Sequence, residues 1–579
     1  MVMLHRALIP VALMAVLAML QPASNAGLLS DNPYHVFGSI DSKAAKRDAN
    51  NTALIILDAD SVQSMKRAIR LIKDQGGEVV HAYPTHVLIG YIPRGIASRL
   101  IGQMGILEII YDVADVKKVS KYGKSAEAAV EAWNNNFKGK AKLKGLEPPA
   151  GFKDPPPIAG DLKTRPNSTS RTLAPPASSR PQQALAPGFY DTSEYFMGEV
   201  MVGIILPEST GGSENWDISR QNSVVSEIQA AMNWWADRDA NARLTFVYDI
   251  RLSVPTIYEP ITLPQSSEGL WIGDVMASLG YASGGYFDRV YSYLNAERTA
   301  LGTDWAFAIF VVDSLNDADG YFSGGYFAYA YLGGPFQVMT YDNDGYGIFN
   351  MDAVTAHETG HIFYALDQYT SAGYGCTASS GYLNIPNQNS AYPAPGSCLT
   401  NLASIMRGQV APYTAGAVDT YARQQIGWRD GDLDTVMDIL DFEPQTILNS
   451  YLPDPTIDNT PTFTGTATAS SSVYPNNNPS GGNAVTINKI AMVQYRVDSG
   501  TWTGAAATDG DFDETSEDFT FTMSPLSDGP HTVEARAVHS GGASDSTPAS
   551  DTLTIITQYQ LTISVNPSGG GSTSPAVGS

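Results

Sequence analysis

Residues 353–369 read AVTAHETGHIFYALDQY. On an α-helix, positions four apart share a face, with their Cβ atoms about 6 Å apart. His357 and His361 can therefore offer two imidazole nitrogens to one ion. Glu358, the next residue, is turned just off that face, where it can act on a water beside the ion rather than ligate it. The bland alternative is a pair of exposed helix histidines with no metal. A catalytic zinc takes three protein ligands and keeps one position for water. His357 and His361 are the only histidines between residues 190 and 450, so the third ligand from this region is expected to be something else. No glutamate occurs between Glu358 and Glu443. Asp367, a little beyond the helix end, is the expected third ligand, with Asp419 second in line.

The stretch HETGHIFYALD resembles the metzincin motif HExxHxxGxxH/D in the form that ends in aspartate. Gln368-Tyr369 is similar to the ending seen in immune inhibitor A-like and IgA-protease-like bacterial metallopeptidases. Ser404-Ile405-Met406-Arg407 fits the Met-turn of that clan. The resemblance spans residues 195–430 and implies a zinc endopeptidase. In that reading His357, His361 and Asp367 hold Zn2+, Met406 lies beneath it, and Glu358 is the general base for the hydrolytic water. Two positions depart from the pattern. The family's glycine between the second and third ligands is Tyr364 here, and tyrosine enters the left-handed backbone region only at a cost. Either this turn differs or Asp367 is not the ligand. Where some metzincins carry a tyrosine that assists the oxyanion stands Gly408, and Tyr413 is the substitute considered. Two other readings share the site: a non-enzymatic surface adhesin with a structural or vestigial metal, and a zinc amidase acting on peptidoglycan or glycan-linked peptides. The intact Glu358 favours the enzyme over the adhesin, because a structural site needs no base.

Working outward, residues 199–206 (EVMVGIIL), 244–250, 305–312 and 336–341 read as strands. Val225, Ile228, Met232 and Trp235 mark one face of a long helix. The fold class expected is multidomain, with an α/β metzincin-like catalytic domain over 191–450. The alternation over 53–113 reads β-α-β-β-α-β, a ferredoxin-like core within a prodomain of 27–120, similar in topology to the propeptide domains of subtilisin-type proteases. Residues 121–190, rich in Lys and then in Pro and Ala, are expected to be a linker. After Pro453, short alternating strands between turn residues predict an all-β sandwich over 453–556, Ig-like or fibronectin type III-like. Residues 557–579 read as the start of a further β-repeat, cut short.

Composition bounds the setting. His5 and Arg6 precede an apolar run over 7–20, followed by small residues up to Ala26; this reads as a signal peptide over 1–26. No later segment is long and apolar enough to span a bilayer. A secreted protein is expected, and in that compartment the lone pair Cys376 and Cys398 is expected to bridge. The net charge of -24 argues against nucleic acid as a partner. Only 12 of the 35 Lys and Arg lie after residue 190, so a basic front piece is expected to dock on an acidic body and to inhibit it. That piece holds no cysteine, which excludes a thiolate-on-zinc latch. The expected partners are a protein or peptide substrate and this prodomain, with a surface or polymer considered for the C-terminal β domain. The turns at 316–320 (NDADG) and 342–345 (DNDG) suggest Ca2+ as a second ion.

Overall fold

The computed structural model of the chain describes residues 47–139, 182–183, 186–341, 346–471 and 484–559. The expected signal peptide, the linker from 140 to 181, the DNDG turn and the expected repeat from residue 560 onward lie outside the described residues. Among the described residues no helix is long and apolar enough to cross a membrane.

The front segment forms β1 (Thr52–Leu57), α1 (Val62–Asp74), β2 (Glu78–Tyr83), β3 (Val87–Tyr91), α2 (Arg94–Leu100) and β4 (Ile106–Ile110). Its strands pair antiparallel in the order β4-β1-β3-β2, a split βαβ arrangement. Ser61 starts α1 by accepting a hydrogen bond from the Ser64 N–H at 3.2 Å. Residues 121–139 are not linker throughout: α3 (Lys124–Gly139) is a helix whose Ala126, Ala129, Val130 and Trp133 are buried. Those four fall at i, i+3, i+4 and i+7, an apolar face that the surrounding lysines and asparagines obscure in the composition.

A two-residue strand, β5 (Gln182–Gln183), precedes the main domain. There β6 (Glu199–Ser209), β7 (Thr245–Thr256), β8 (Trp305–Val312) and β10 (Phe336–Thr340) run parallel, and β9 (Ala328–Ala330) closes the edge antiparallel. All eight residues of β8, WAFAIFVV, are buried, as expected of a parallel strand covered on both faces. Helices α4 (Ile218–Ala236) and α7 (Met351–Ile362) pack with α3 on one face; α5 (Glu268–Ser278) and α6 (Tyr286–Leu301) pack with α1 and α2 on the other.

The front segment joins this sheet edge to edge. β2 pairs parallel with β7, His81 opposite Phe246 and Ala82 opposite Val247, giving nine strands in the order β4-β1-β3-β2-β7-β6-β8-β10-β9. The cores run through the junction too. Leu54, Ile56 and Val80 share one cluster with Val202, Trp235 and Met406, while Ile55, Leu57 and Val79 share the other with Met201, Val247 and Val290. Docking by charge describes only part of this contact. The ion pairs Arg47–Asp237 (2.9 Å) and Lys66–Glu199 (2.6 Å) lie on a seam that also holds backbone ladder, apolar packing and side-chain hydrogen bonds such as His81–Tyr248 and Tyr83–Gln229.

After a short ladder of β11 (Ser379–Ser380) and β12 (Ile385–Pro386) come helices α8 (Val410–Ala415) and α9 (Thr420–Gln425). The C-terminal part holds β13 (Gln445–Leu448), β14 (Thr462–Thr468), β15 (Ser470–Ser471), β16 (Ile490–Val497), β17 (Thr503–Gly504), β18 (Ala506–Ala507), β19 (Ser516–Thr522), β20 (Gly529–His539) and β21 (Ala549–Ile555). Two antiparallel sheets, β13-β14-β19-β18 and β17-β16-β20-β21, enclose a core of their own that includes Phe463, Val493, Phe519, Val533 and Leu553. Its first strand, β13, starts before the expected boundary at 453 because it pairs with β14. β15 pairs with β5.

Candidate metal centre

Helix α7 is buried along nearly its whole length and packs on α4, where Trp235 Nε1 donates to the Ala356 carbonyl at 3.0 Å. The helix stops sharply. Ala365 N–H donates to the Gly360 carbonyl (2.9 Å) and Tyr364 N–H to the His361 carbonyl (3.0 Å), the paired bonds of a Schellman end. Such an end needs a left-handed residue, and Tyr364 supplies it with φ +74°. The left-handed turn is therefore built with a tyrosine where glycine would carry no strain. Tyr364 is only 4% exposed. Its ring lies so close over Gly333 that a Cβ there would overlap it, and the Ser380 hydroxyl donates to its carbonyl at 2.6 Å. Packing and hydrogen bonding hold the strained backbone in place.

This turn carries the chain back over the helix end. Asp367 Oδ1 lies 3.2 Å from His357 Nε2 and 3.3 Å from His361 Nε2. Each ring's other nitrogen faces a backbone carbonyl at 2.7 Å: His357 Nδ1 the Ile405 carbonyl, His361 Nδ1 the Ala365 carbonyl. A carbonyl only accepts, so both Nδ1 atoms carry the proton, and in the neutral rings both Nε2 atoms turn a lone pair inward. Three acceptors then converge on one point, which a cation can satisfy; without one, a second proton on an imidazole does so by bonding to Asp367. Bond lengths of about 2.0–2.1 Å in a tetrahedral zinc site put neighbouring ligand atoms about 3.3 Å apart. The donor set and its spacing fit Zn2+.

Without such an ion, burial lowers the His361 pKa, but the facing Asp367 carboxylate outweighs it and holds the ring above its ordinary value. Burial acts to raise Asp367, and the two imidazoles overcome it and hold the carboxyl well below the usual carboxylate range. Glu358 differs. It is buried, Oε2 has no hydrogen-bond partner, and burial pushes its pKa up to about 7.

Met406 sits in a turn, Ile405–Arg407, that Ser404 caps. Its thioether fills the notch at Gly360: a Cβ there would come within 2.5 Å of the Met406 sulfur. The same turn supplies the Ile405 carbonyl to His357, and its Met406 carbonyl accepts from Gln368 N–H at 2.8 Å. It therefore braces both the helix and the Asp367 segment. Asp419, second in line as a ligand, is instead the cap of α9, accepting from the N–H groups of Tyr421 (2.9 Å) and Ala422 (3.3 Å). Tyr413, considered as an oxyanion helper, is placed in other contacts. Its ring stacks on Trp234 with centroids 5.2 Å apart, and its hydroxyl is engaged by Asp352 in the first turn of α7, about 7 Å along the axis from His357. Cys376 and Cys398 are disulfide-bonded.

Several supporting groups escaped the sequence reading. The Tyr369 hydroxyl donates to Asp367 Oδ2 at 3.0 Å, and Asn387 Nδ2 to the Asp367 carbonyl at 2.9 Å. Tyr369 was visible next to the motif; Asn387 left no local signal. At 316–320, Asp317 Oδ1 accepts from the N–H groups of Asp319 (3.2 Å) and Gly320 (2.9 Å), an Asx turn. Among the described residues one other trio could share an ion, the acidic group Asp430, Asp432 and Asp434, on a largely exposed loop.

No family model matches the chain, and no curated protein matches it. Solved structures give faint likenesses. A fibronectin(III)-like module structure of Clostridium thermocellum CbhA is 19% identical over 20% of this chain and 100% of its own, with a TM-score of 0.14. OgpA from Akkermansia muciniphila is 8% identical over 64% of this chain and 95% of its own, TM-score 0.20. The sulfane dehydrogenase SoxCD from Paracoccus pantotrophus is 17% identical, TM-score 0.14; the likeness covers 18% of this chain and about a quarter (24%) of that one. At these scores the likenesses carry no argument.

Proposed function

We propose that the chain is a secreted, metzincin-type zinc endopeptidase made as a zymogen, acting on protein or peptide substrates. The observation that carries this reading is the convergence of Asp367 Oδ1 on both histidine Nε2 atoms at 3.2 and 3.3 Å. Zn2+ held by His357, His361 and Asp367 would supply a Lewis acid and make a water acidic enough to react near neutrality. The residues around it do the rest. Two Nδ1–H bonds aim the imidazoles, and Met406 in the Gly360 notch fixes the helix above it. Glu358, buried beside the two histidines, would take a proton from that water and give it to the leaving amine.

The disulfide and the apolar leader support export. For latency, the supporting feature is the shared sheet and core, through which the front segment would act on the fold that carries the site. The antiparallel C-terminal sandwich, with its separate core, suits an Ig-like or fibronectin type III-like accessory domain. The test is casein cleavage by the purified full chain and by the chain nicked between 140 and 181. Chelator should stop the reaction and added Zn2+ restore it, and Glu358→Gln should abolish turnover with metal still bound. Zinc binding with no cleavage in either form would count against the peptidase and favour the adhesin.

A further inference from the structure

Asp367 offers its two oxygens to different partners. Oδ1 faces the two Nε2 atoms, whereas Oδ2 accepts from the Tyr369 hydroxyl at 3.0 Å. A carboxylate can bind a metal through one oxygen or both, and little energy separates the two when nothing holds the second. Here something does. Tyr369 lies two residues on, after the Gln368 backbone is pinned on both sides: its N–H donates to the Met406 carbonyl (2.8 Å), and its carbonyl accepts from the Ala391 N–H (2.7 Å). The Asn387 amide also holds the Asp367 carbonyl at 2.9 Å. The phenol therefore stands on braced backbone, and the rotation of the Asp367 carboxylate is limited at its outer oxygen.

We propose that Tyr369 is a positioning residue that keeps Asp367 a one-oxygen ligand and so keeps a coordination position free for water. The inference rests on the zinc reading above. Two histidines plus a one-oxygen aspartate leave a four-coordinate ion one free place. An aspartate that swings Oδ2 inward occupies the place that the reaction needs. Tyr369→Phe removes the hydroxyl, keeps the ring, and leaves the three ligands in place.

The experiment uses the full chain loaded with Co2+, whose visible absorption reports coordination number. In the wild type the spectrum should be that of a four-coordinate ion. In Tyr369→Phe cobalt should still bind at one per chain, with visible intensity per cobalt falling roughly twofold or more as the fifth bond forms. The zinc form of the variant should lose about 10–100-fold in kcat, as for other supporting partners of metal ligands, with KM and thermal midpoint close to wild type. A variant with an unchanged cobalt spectrum overturns the inference and leaves the zinc reading standing. A variant that no longer folds also overturns it, because the hydroxyl is then structural. Failure of the wild type to bind cobalt or zinc overturns the reading beneath it.

Discussion

Tyr364 separates two effects that the sequence combines. Its φ of +74° is a conformation in which an L side chain costs about 1–2 kcal/mol. Its ring is buried, and truncating a buried aromatic costs about 3–5 kcal/mol. Tyr364→Ala keeps the backbone strain and loses the ring. Tyr364→Gly loses the same ring but relieves the strain, less about 0.5–1 kcal/mol for the freer unfolded chain. Both variants should be less stable than wild type, by about 2–5 kcal/mol, and glycine should exceed alanine by about 1 kcal/mol, the reverse of their order inside helices. Urea unfolding followed by tryptophan fluorescence reads this, because seven of the eight tryptophans precede residue 450. Tyr364→Gly should also still bind zinc, since it preserves the turn. Alanine equal to or better than glycine would refute the left-handed assignment. Glycine better than tyrosine would refute the claim that ring packing offsets the strain.

Three further outcomes are expected. His81 is buried at the junction, its Nδ1 2.9 Å from the Tyr248 hydroxyl, and burial lowers its pKa to about 3. Its contribution is complete above its unfolded pKa of about 6.5 and is lost as pH falls from there toward 3, by roughly 1.4 kcal/mol per pH unit; His81→Phe should flatten that slope in acid unfolding curves. Gly360→Ala drives a Cβ against the Met406 sulfur and should cost about 1–3 kcal/mol with weaker zinc binding. Adding Met406→Ala to it should cost less than the two single changes summed, which denaturant midpoints of the four proteins will show. Cys398→Ser opens the bridge to Cys376, a sequence separation of 22, and should cost about 3 kcal/mol in the same assay.

Much of the candidate site was legible because it is local. Two histidines a helical turn apart converge wherever the helix forms, and the absence of other histidines and glutamates nearby singled out Asp367. What sequence reasoning treated as an obstacle, Tyr364, is resolved by a distant glycine, Gly333, which no local rule could connect to it. The strands of the front segment were legible from their alternation. Their place was not, because pairing of β2 with β7 joins backbone groups far apart in the chain and leaves no mark in periodicity. α3 was hidden by composition, although its apolar spacing was present. Tyr413 and Asp419, the other residues considered for the site, are engaged by Trp234 and Asp352 and by the α9 backbone. The acidic trio at 430–434 drew no reading from the sequence.

The most direct test of the centre is to locate the ion. Crystals of the zinc-loaded protein measured on either side of the zinc absorption edge should show one strong anomalous peak within bonding distance of His357 Nε2, His361 Nε2 and Asp367 Oδ1. A peak elsewhere, or none at full zinc loading, would contradict the account.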